Sequence, residues 1–235
     1  MIERKMKAQP IIRAKHVIRE YKLGKTIIPA LKDIDLNIYN KDFVVIAGPS
    51  GSGKTTLLNM IGLIDKPTSG EIWMQNINTS TKTLNSLHPI RRDKIGYIFQ
   101  TFNLIPVLTV FENVEYPLIL QKISRSKRQK LVEEALDKVG LSARQKHRPR
   151  ELSGGERQRV SIARAIVKKP ALVLADEPTA NLDSKTGIEI LQLMQSLHEK
   201  KSTTFVFSSH DQTIIDMAKR TVFLRDGSIE EIKEI

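Results

Sequence analysis

Residues 48 to 55 read Gly-Pro-Ser-Gly-Ser-Gly-Lys-Thr, and this stretch limits the fold more tightly than any other in the chain. The pattern G-x-x-x-x-G-K-[ST] describes a loop whose bare backbone wraps phosphate, and such a loop has to connect a strand to a helix. Its flanks agree. Phe43, Val44, Val45, Ile46 and Ala47 form an apolar run suited to a buried strand, and Lys54 to Ile61 reads as a helix closed by Gly62. The glycines admit phosphate close to the N–H groups, Lys54 places a point charge near the outer phosphates, and the Thr55 hydroxyl suits magnesium.

Two further segments carry polar chemistry. Ala171 to Ala175 is a continuous apolar run that ends in Asp176 and Glu177 before Pro178 stops it, as expected of a central parallel strand. Neighbouring residues at a strand end point in opposite directions, so the two carboxylates divide into two tasks: Asp176 for a magnesium shell and Glu177 for an attacking water. Residues 152 to 160 read Leu-Ser-Gly-Gly-Glu-Arg-Gln-Arg-Val, in which Ser153 and Glu156 make a capping box. The box alone leaves Gly154 and Gly155 unexplained, since each costs the helix up to about 1 kcal/mol relative to alanine. A helix start stripped of Cβ atoms, with a hydroxyl beside it, is expected to receive an anion from outside.

With these segments in this order, the chain resembles the ATP-binding-cassette (ABC) ATPases from roughly Ile11 to Ile229. The resemblance identifies residues 48 to 55 as the Walker A loop, the strand ending in Asp176 and Glu177 as Walker B, and the stretch from Leu152 to Glu156 as the signature. It implies an α/β P-loop NTPase fold with a RecA-like core, an antiparallel β subdomain and a helical signature subdomain inserted near 101–160 of a single domain, 1–235. It also implies that ATP and Mg2+ are bound. Gly48, Pro49, Ser50, Gly51, Ser52, Gly53, Lys54, Thr55 and Thr56 would hold the phosphates, and Tyr21 would stack on adenine. Thr55, Gln100 and Asp176 would face the metal. Glu177, His210, Gln100 and Lys54 would be catalytic. Asp183 would belong to the D-loop Asn181-Leu182-Asp183, with a simple helix N-cap as the alternative. Ser153, Gly154 and Gly155 would close on ATP held by a second ATPase subunit, most simply an identical chain. Two departures keep their hydroxyls: Thr55 stands where serine is commoner, and Ser209 replaces the usual threonine before the switch histidine.

The finer wording of the Walker A helix, the segment FQTFNLIPVLTVFENVEYPL and LADEPTANLD resembles the macrolide-exporter and lipoprotein-releasing branch. This implies an integral membrane permease as partner, a peripheral cytoplasmic place on the inner face of the membrane, and an exported lipoprotein, peptide or macrolide. No apolar run reaches the roughly 18 residues of a membrane helix, and the charged start Met1 to Lys7 lacks the hydrophobic stretch of a signal peptide. The membrane path therefore falls to another polypeptide. There is no cysteine, which excludes disulfides and cysteine-ligated zinc.

The net charge of +12 invites another reading, because residues 122 to 150 carry ten Lys or Arg against three acids. A solvated helical face explains this most simply, anionic lipid headgroups come second, and nucleic acid ranks last because aromatic interleaving is sparse. Soluble relatives that act on nucleic acid or the ribosome carry long coiled coils, zinc cysteines or paired cassettes, and none of these features occurs here. Alternation at Ile34, Leu36, Ile38 and at Ile72, Met74 predicts half-buried strands. Leu131, Val132, Ala135, Leu136 and Val139 predict a helix between Ser124 and Gly140, and Ile190, Leu193 and Leu197 give one face to a helix over 184–199.

Overall fold

Strand β3 (Phe43–Ala47) is buried at every residue, as its unbroken apolar sequence requires of a central parallel strand. The computed structural model describes residues 9–201 and 203–234, so the basic start Met1 to Lys7 lies outside the described residues. They form two compact units, one running to Pro89 and resuming at Thr204, the other from Ile90 to Thr203.

In the first unit β3 pairs in parallel with β8 (Thr204–Ser209) and β9 (Arg220–Arg225), while β10 (Ser228–Glu234) returns antiparallel on β9. Ala47 stands opposite Ser209 and Phe223, so β3 and β8 end level while β9 runs on to Arg225. Helix α1 (Lys54–Ile61) follows β3 within the expected bounds, although its cap Gly62 keeps ordinary helical angles. Leu63, at φ 57, makes the left-handed step instead. Helix α7 (Gln212–Met217) follows β8, its first turn capped by the Asp211 side chain.

The antiparallel sheet of this unit has the order β2-β1-β4-β5, from β1 (Ile12–Leu23), β2 (Thr26–Ile38), β4 (Ser69–Met74) and β5 (Ile77–Asn78). Ile34, Leu36, Ile38, Ile72 and Met74 are all buried, so the period-2 pattern places its apolar face as predicted. The β9–β10 hairpin was not part of the strand pattern above. Its turn is Asp226-Gly227 with both φ angles positive, 47 and 80, the two-residue geometry that matches strand twist.

The second unit holds the parallel pair β6 (Ile95–Ile98) and β7 (Leu172–Asp176), preceded by α2 (His88–Lys94), inside which the division falls. Its helices are α3 (Val110–Leu120), α4 (Arg125–Lys138), α5 (Gly154–Ile166) and α6 (Ser184–Lys201). α5 packs against α3, α4, α6 and β6, with Val160, Ile162, Ala163, Ala165 and Ile166 buried. α4 lies where the periodicity puts it, ending at Gly140 in the left-handed region (φ 71), but Ser124 makes no side-chain cap. α6 buries Ile190, Leu191, Met194 and Leu197, and Leu193 is only half-buried. At about 100° per residue the stripe centres on Met194, which leaves Leu193 on its edge.

Arg220 is 8% exposed and ties the first unit together: it lies 3.0 Å from Glu234 and 3.5 Å from Asp42, and donates to the Asn37 carbonyl. Removing one member of a buried ion pair leaves the other uncompensated. Arg220→Met should lower the unfolding free energy by about 3 kcal/mol, read from urea denaturation, and adding Asp42→Asn should recover part of the loss.

Candidate nucleotide site

Because β3 and β8 are parallel and in register, the Gly48 loop and His210 leave from the same edge of one ladder. This is the carboxyl edge, where open α/β sheets bind ligands. His210 itself is exposed.

The loop is pressed onto its own scaffold. A Cβ at Gly48 would lie 2.1 Å from the Leu224 carbonyl oxygen, and one at Gly53 2.6 Å from that of Ala30, so neither position tolerates a side chain. The Gly227 N–H, from the β9–β10 turn, donates to the Ser52 carbonyl at 3.1 Å. Gly53 (φ 101) heads α1 without a capping side chain, and the first turn holds no acid. The positive end of that helix is therefore unopposed by any carboxylate of its own turn. Lys54 is buried, and its ammonium donates to the Gly48 and Pro49 carbonyls, 2.8 Å each. Pro49, Ser50, Gly51 and Thr55 are exposed and Thr56 is half-buried.

Ser52 behaves differently: its Oγ is buried and has no partner among the described residues. An unsatisfied buried hydroxyl costs about 1–3 kcal/mol, and a phosphate oxygen would remove that cost. The donor set therefore fits a polyphosphate: an ammonium, a hydroxyl and a helix start.

Tyr21 lies within β1, opposite Ile28, and is 37% exposed. The Arg19 guanidinium sits 4.4 Å from its ring centroid, and its hydroxyl donates to Asp65 at 3.0 Å. In this structure the stacking partner of Tyr21 is Arg19.

In the second unit Asp176 ends β7, and Glu177 turns the chain with φ 42. Gln100, just beyond β6, reaches Glu177 through a long contact, Nε2 to Oε2 at 3.4 Å. Its carbonyl accepts a bond from Asn181 Nδ2 at 2.8 Å. The unit thus gathers three separately expected positions: Gln100, Glu177 and the D-loop asparagine. The loop beyond Gln100 is held from outside. Phe102 and Asn103 are both left-handed (φ 61 and 47), and their carbonyls accept from Arg164 on α5. Burial pushes the Arg164 guanidinium down to about 10, so it stays charged at neutral pH. The Arg157 guanidinium covers the Phe102 ring at 5.3 Å. Asn113, fully buried on α3, donates to the carbonyls of Ile105, Leu108 and Thr109 and accepts from the Ile105 N–H.

The signature start forms the expected capping box. Ser153 Oγ accepts from the Glu156 N–H at 3.2 Å, and the Glu156 carboxylate accepts from the Ser153 N–H at 2.9 Å. The two glycines also have a reason within the chain: a Cβ at Gly155 would lie 2.5 Å from the Thr186 methyl, and one at Gly154 3.3 Å from Leu182. Asp183 is the N-cap of α6, its carboxylate accepting from the Thr186 N–H at 3.0 Å. The Thr186 hydroxyl first, and then its N–H, hold the Asp183 carboxyl below the usual range.

Arg164, Asn113 and Gln158 were not singled out in the sequence. Gln158 did leave a trace: it falls on the stripe of Ser161, Ile162 and Ala165, spaced three, four and seven residues on. It is buried there, and its Nε2 donates to the Pro178 carbonyl at 2.6 Å.

The Ser153 backbone N–H, first among several causes, holds the Glu156 carboxyl below its ordinary range. A lowered folded-state value stabilises fully above the unfolded value of about 4.3 and ceases to do so as pH falls through the folded value. Wild type and Glu156→Gln should therefore differ in urea midpoint near neutral pH, wild type being the more stable, and converge as pH falls below about 4.

Comparison with known proteins agrees with this geometry. Residues 31–180 match the family described as ABC transporter. The uncharacterized ABC transporter ATP-binding protein MJ0796 of Methanocaldococcus jannaschii is 48% identical over 229 residues, 96% of this chain and 97% of that protein. A macrolide export ATP-binding/permease protein MacB, from Wolinella succinogenes, is 42% identical over 226 residues, 96% of this chain but 35% of the relative. Among solved structures, a dimeric post-hydrolysis state of the ATP-binding cassette MJ0796 bound to ADP and Pi superposes with a TM-score of 0.88 at 47% identity, covering 95% of this chain and 98% of that one. The chain belongs to the ABC transporter family, and within it stands with the ATP-binding cassettes.

Proposed function

We propose that this chain binds and hydrolyses ATP as a dimer and so powers a membrane permease. The observation that carries the reading is the Ser52 hydroxyl, buried without a partner among the described residues inside a glycine loop that also holds the Lys54 ammonium. Only an oxygen-rich anion answers all of those groups together. The residues from Gly48 to Thr56 hold the phosphates, Lys54 and His210 stabilise charge on the outermost one, and Glu177 takes the proton of the attacking water. Thr55 offers magnesium a hydroxyl, and Asp176 and Gln100 offer it a carboxylate and an amide, all hard oxygen donors. Magnesium, when bound, neutralises phosphate charge. Tyr21 supports adenine on its ring.

Ser153, Gly154 and Gly155 act on the nucleotide of the second subunit, most simply an identical chain, with Asp183 nearby on the D-loop. The dimeric MJ0796 cassette bound to ADP and Pi supports this arrangement. The MacB relatives, whose name couples ATP-binding to permease, support a permease partner and export or extraction of a lipoprotein, peptide or macrolide-like substrate. Among the described residues no helix is long and apolar enough to cross a membrane. The cassette then sits at the inner face of the membrane, where the basic stretch 122–150 gains from anionic headgroups, a reading we place ahead of nucleic acid.

Glu177→Gln tests the chemistry. It should bind ATP, hydrolyse it at least a hundredfold more slowly, by the usual worth of a general base of about 10²- to 10⁴-fold, and accumulate as a dimer on size exclusion. Hydrolysis at the wild-type rate would remove Glu177 from the role of base. For Lys54→Ala the expected outcome is weakened nucleotide binding by titration calorimetry, and an unchanged affinity would refute the phosphate role.

A further inference from the structure

The first turn of helix α5 carries the signature, and its second turn bonds the residue that follows Glu177. Gln158 is fully buried, and its Nε2 donates to the carbonyl of Pro178 at 2.6 Å, one residue after Glu177. Glu177 sits in the left-handed region (φ 42), a conformation that costs a residue with a Cβ about 1–2 kcal/mol, and it precedes a proline, which narrows its backbone further. Within the turn the Ala180 N–H donates to the Glu177 carbonyl at 3.2 Å and the Leu182 N–H to the Thr179 carbonyl at 3.0 Å. A turn so placed needs an outside hold, and Gln158 provides one.

The other end of the same amide makes the case sharper. Gln158 Oε1 is buried with no hydrogen-bond partner among the described residues. A side chain chosen for stability alone would not keep an unsatisfied oxygen in the core, because an apolar residue of the same length fills the space without that cost. One atom of Gln158 is thus well used and the other is a liability. That combination marks a residue kept for placement rather than for packing.

We infer that Gln158 is a positioning residue of ATP hydrolysis: it fixes the Glu177–Pro178 turn from the signature helix and so sets where the Glu177 carboxylate points. The inference rests on the proposed role of Glu177 as base. It makes the signature helix act on two nucleotides at once, its first turn on the partner's and its second turn, through Pro178, on the reaction of its own chain.

The test compares the full-length chain with Gln158→Met, Gln158→Glu and Glu177→Gln. Methionine keeps the length and removes both the donor and the orphan oxygen. Glutamate replaces the amide N–H and, once ionised, keeps acceptors alone. Misplacing a reacting group by about an ångström costs up to about a hundredfold, so kcat should fall ten- to a hundredfold in both Gln158 variants. KM for ATP should stay within about twofold, and the Tm of Gln158→Met should stay close to that of wild type, because removing the orphan Oε1 offsets the loss of the donor to the Pro178 carbonyl. Wild-type kcat in both Gln158 variants, with Glu177→Gln inactive, overturns the inference while leaving the base in place. A Tm lowered by several degrees in Gln158→Met also overturns it, because the residue is then structural. Wild-type hydrolysis by Glu177→Gln would instead remove the base, and with it this role for Gln158.

Discussion

The parallel pairing of β3 with β8 and β9 is the constraint on which the first unit's chemistry depends. β3 is buried at all of its residues and β8 likewise, so neither strand can expose a functional side chain along its length. Aromatic packing secures the interior, with the Phe43 and Phe207 ring centroids 4.7 Å apart. Polar work is thereby exported to whatever follows the strand ends, and the register sets Ala47 and Ser209 level. The phosphate loop and His210 share an edge for that reason. The same register brings Leu224 against Gly48, so the strand neighbours that align the loop also require its glycine.

In the second unit the corresponding constraint is α5, which serves packing and chemistry with different atoms. Its apolar residues Val160, Ile162 and Ile166 lie in the core, each contributing about 1.5–3 kcal/mol by burial. Against that stand Gln158 Oε1, Ser161 Oγ and Arg157 Nε, buried without a hydrogen-bond partner among the described residues, each costing about 1–3 kcal/mol. Ala163 and Ala165 are buried with the apolar residues, so apolar contacts outnumber these polar atoms and the helix holds polar side chains inside without losing its place. Arg164 shows the same economy: its stem is buried while its guanidinium satisfies two loop carbonyls.

What could be read from the sequence was whatever depends on near neighbours. The run from Phe43 to Ala47, the bounds of α1 and the capping box at Ser153 are local signals, and local structure follows them. The stripe on α6 was placed a little off because Leu193 and Met194 compete for one face and only packing decides between them. The β9–β10 hairpin was missed although Asp226-Gly227 is a turn dipeptide, because Arg220 and the charged β10 do not look like buried strand sequence. Arg164 reaches carbonyls 61 and 62 positions away, and no periodicity reports that. Tyr21 illustrates the opposite limit, since family resemblance gives its ring to adenine while its neighbour Arg19, two residues back, already occupies one face.

The left-handed residues separate local turn chemistry from positions that are held from outside. Asp33 and Asp226 occupy that region (φ 53 and 47), and aspartate tolerates it because its short polar side chain bonds nearby. Asp33 does so with His16, at 2.8 Å. Phe102 has no polar side chain and Glu177 is neither Gly, Asn nor Asp, and their backbones are left-handed all the same (φ 61 and 42). Both are next to or within the polar cluster of the second unit, and both are braced by α5: Phe102 by Arg157 and Arg164, the Glu177 turn by Gln158. Backbone that local sequence disfavours persists only where the surroundings over-determine it. In this unit α5 supplies much of those surroundings, so the helix that carries the signature also braces the two loops that carry Gln100 and Glu177, which bond each other through Asn181 and Gln100.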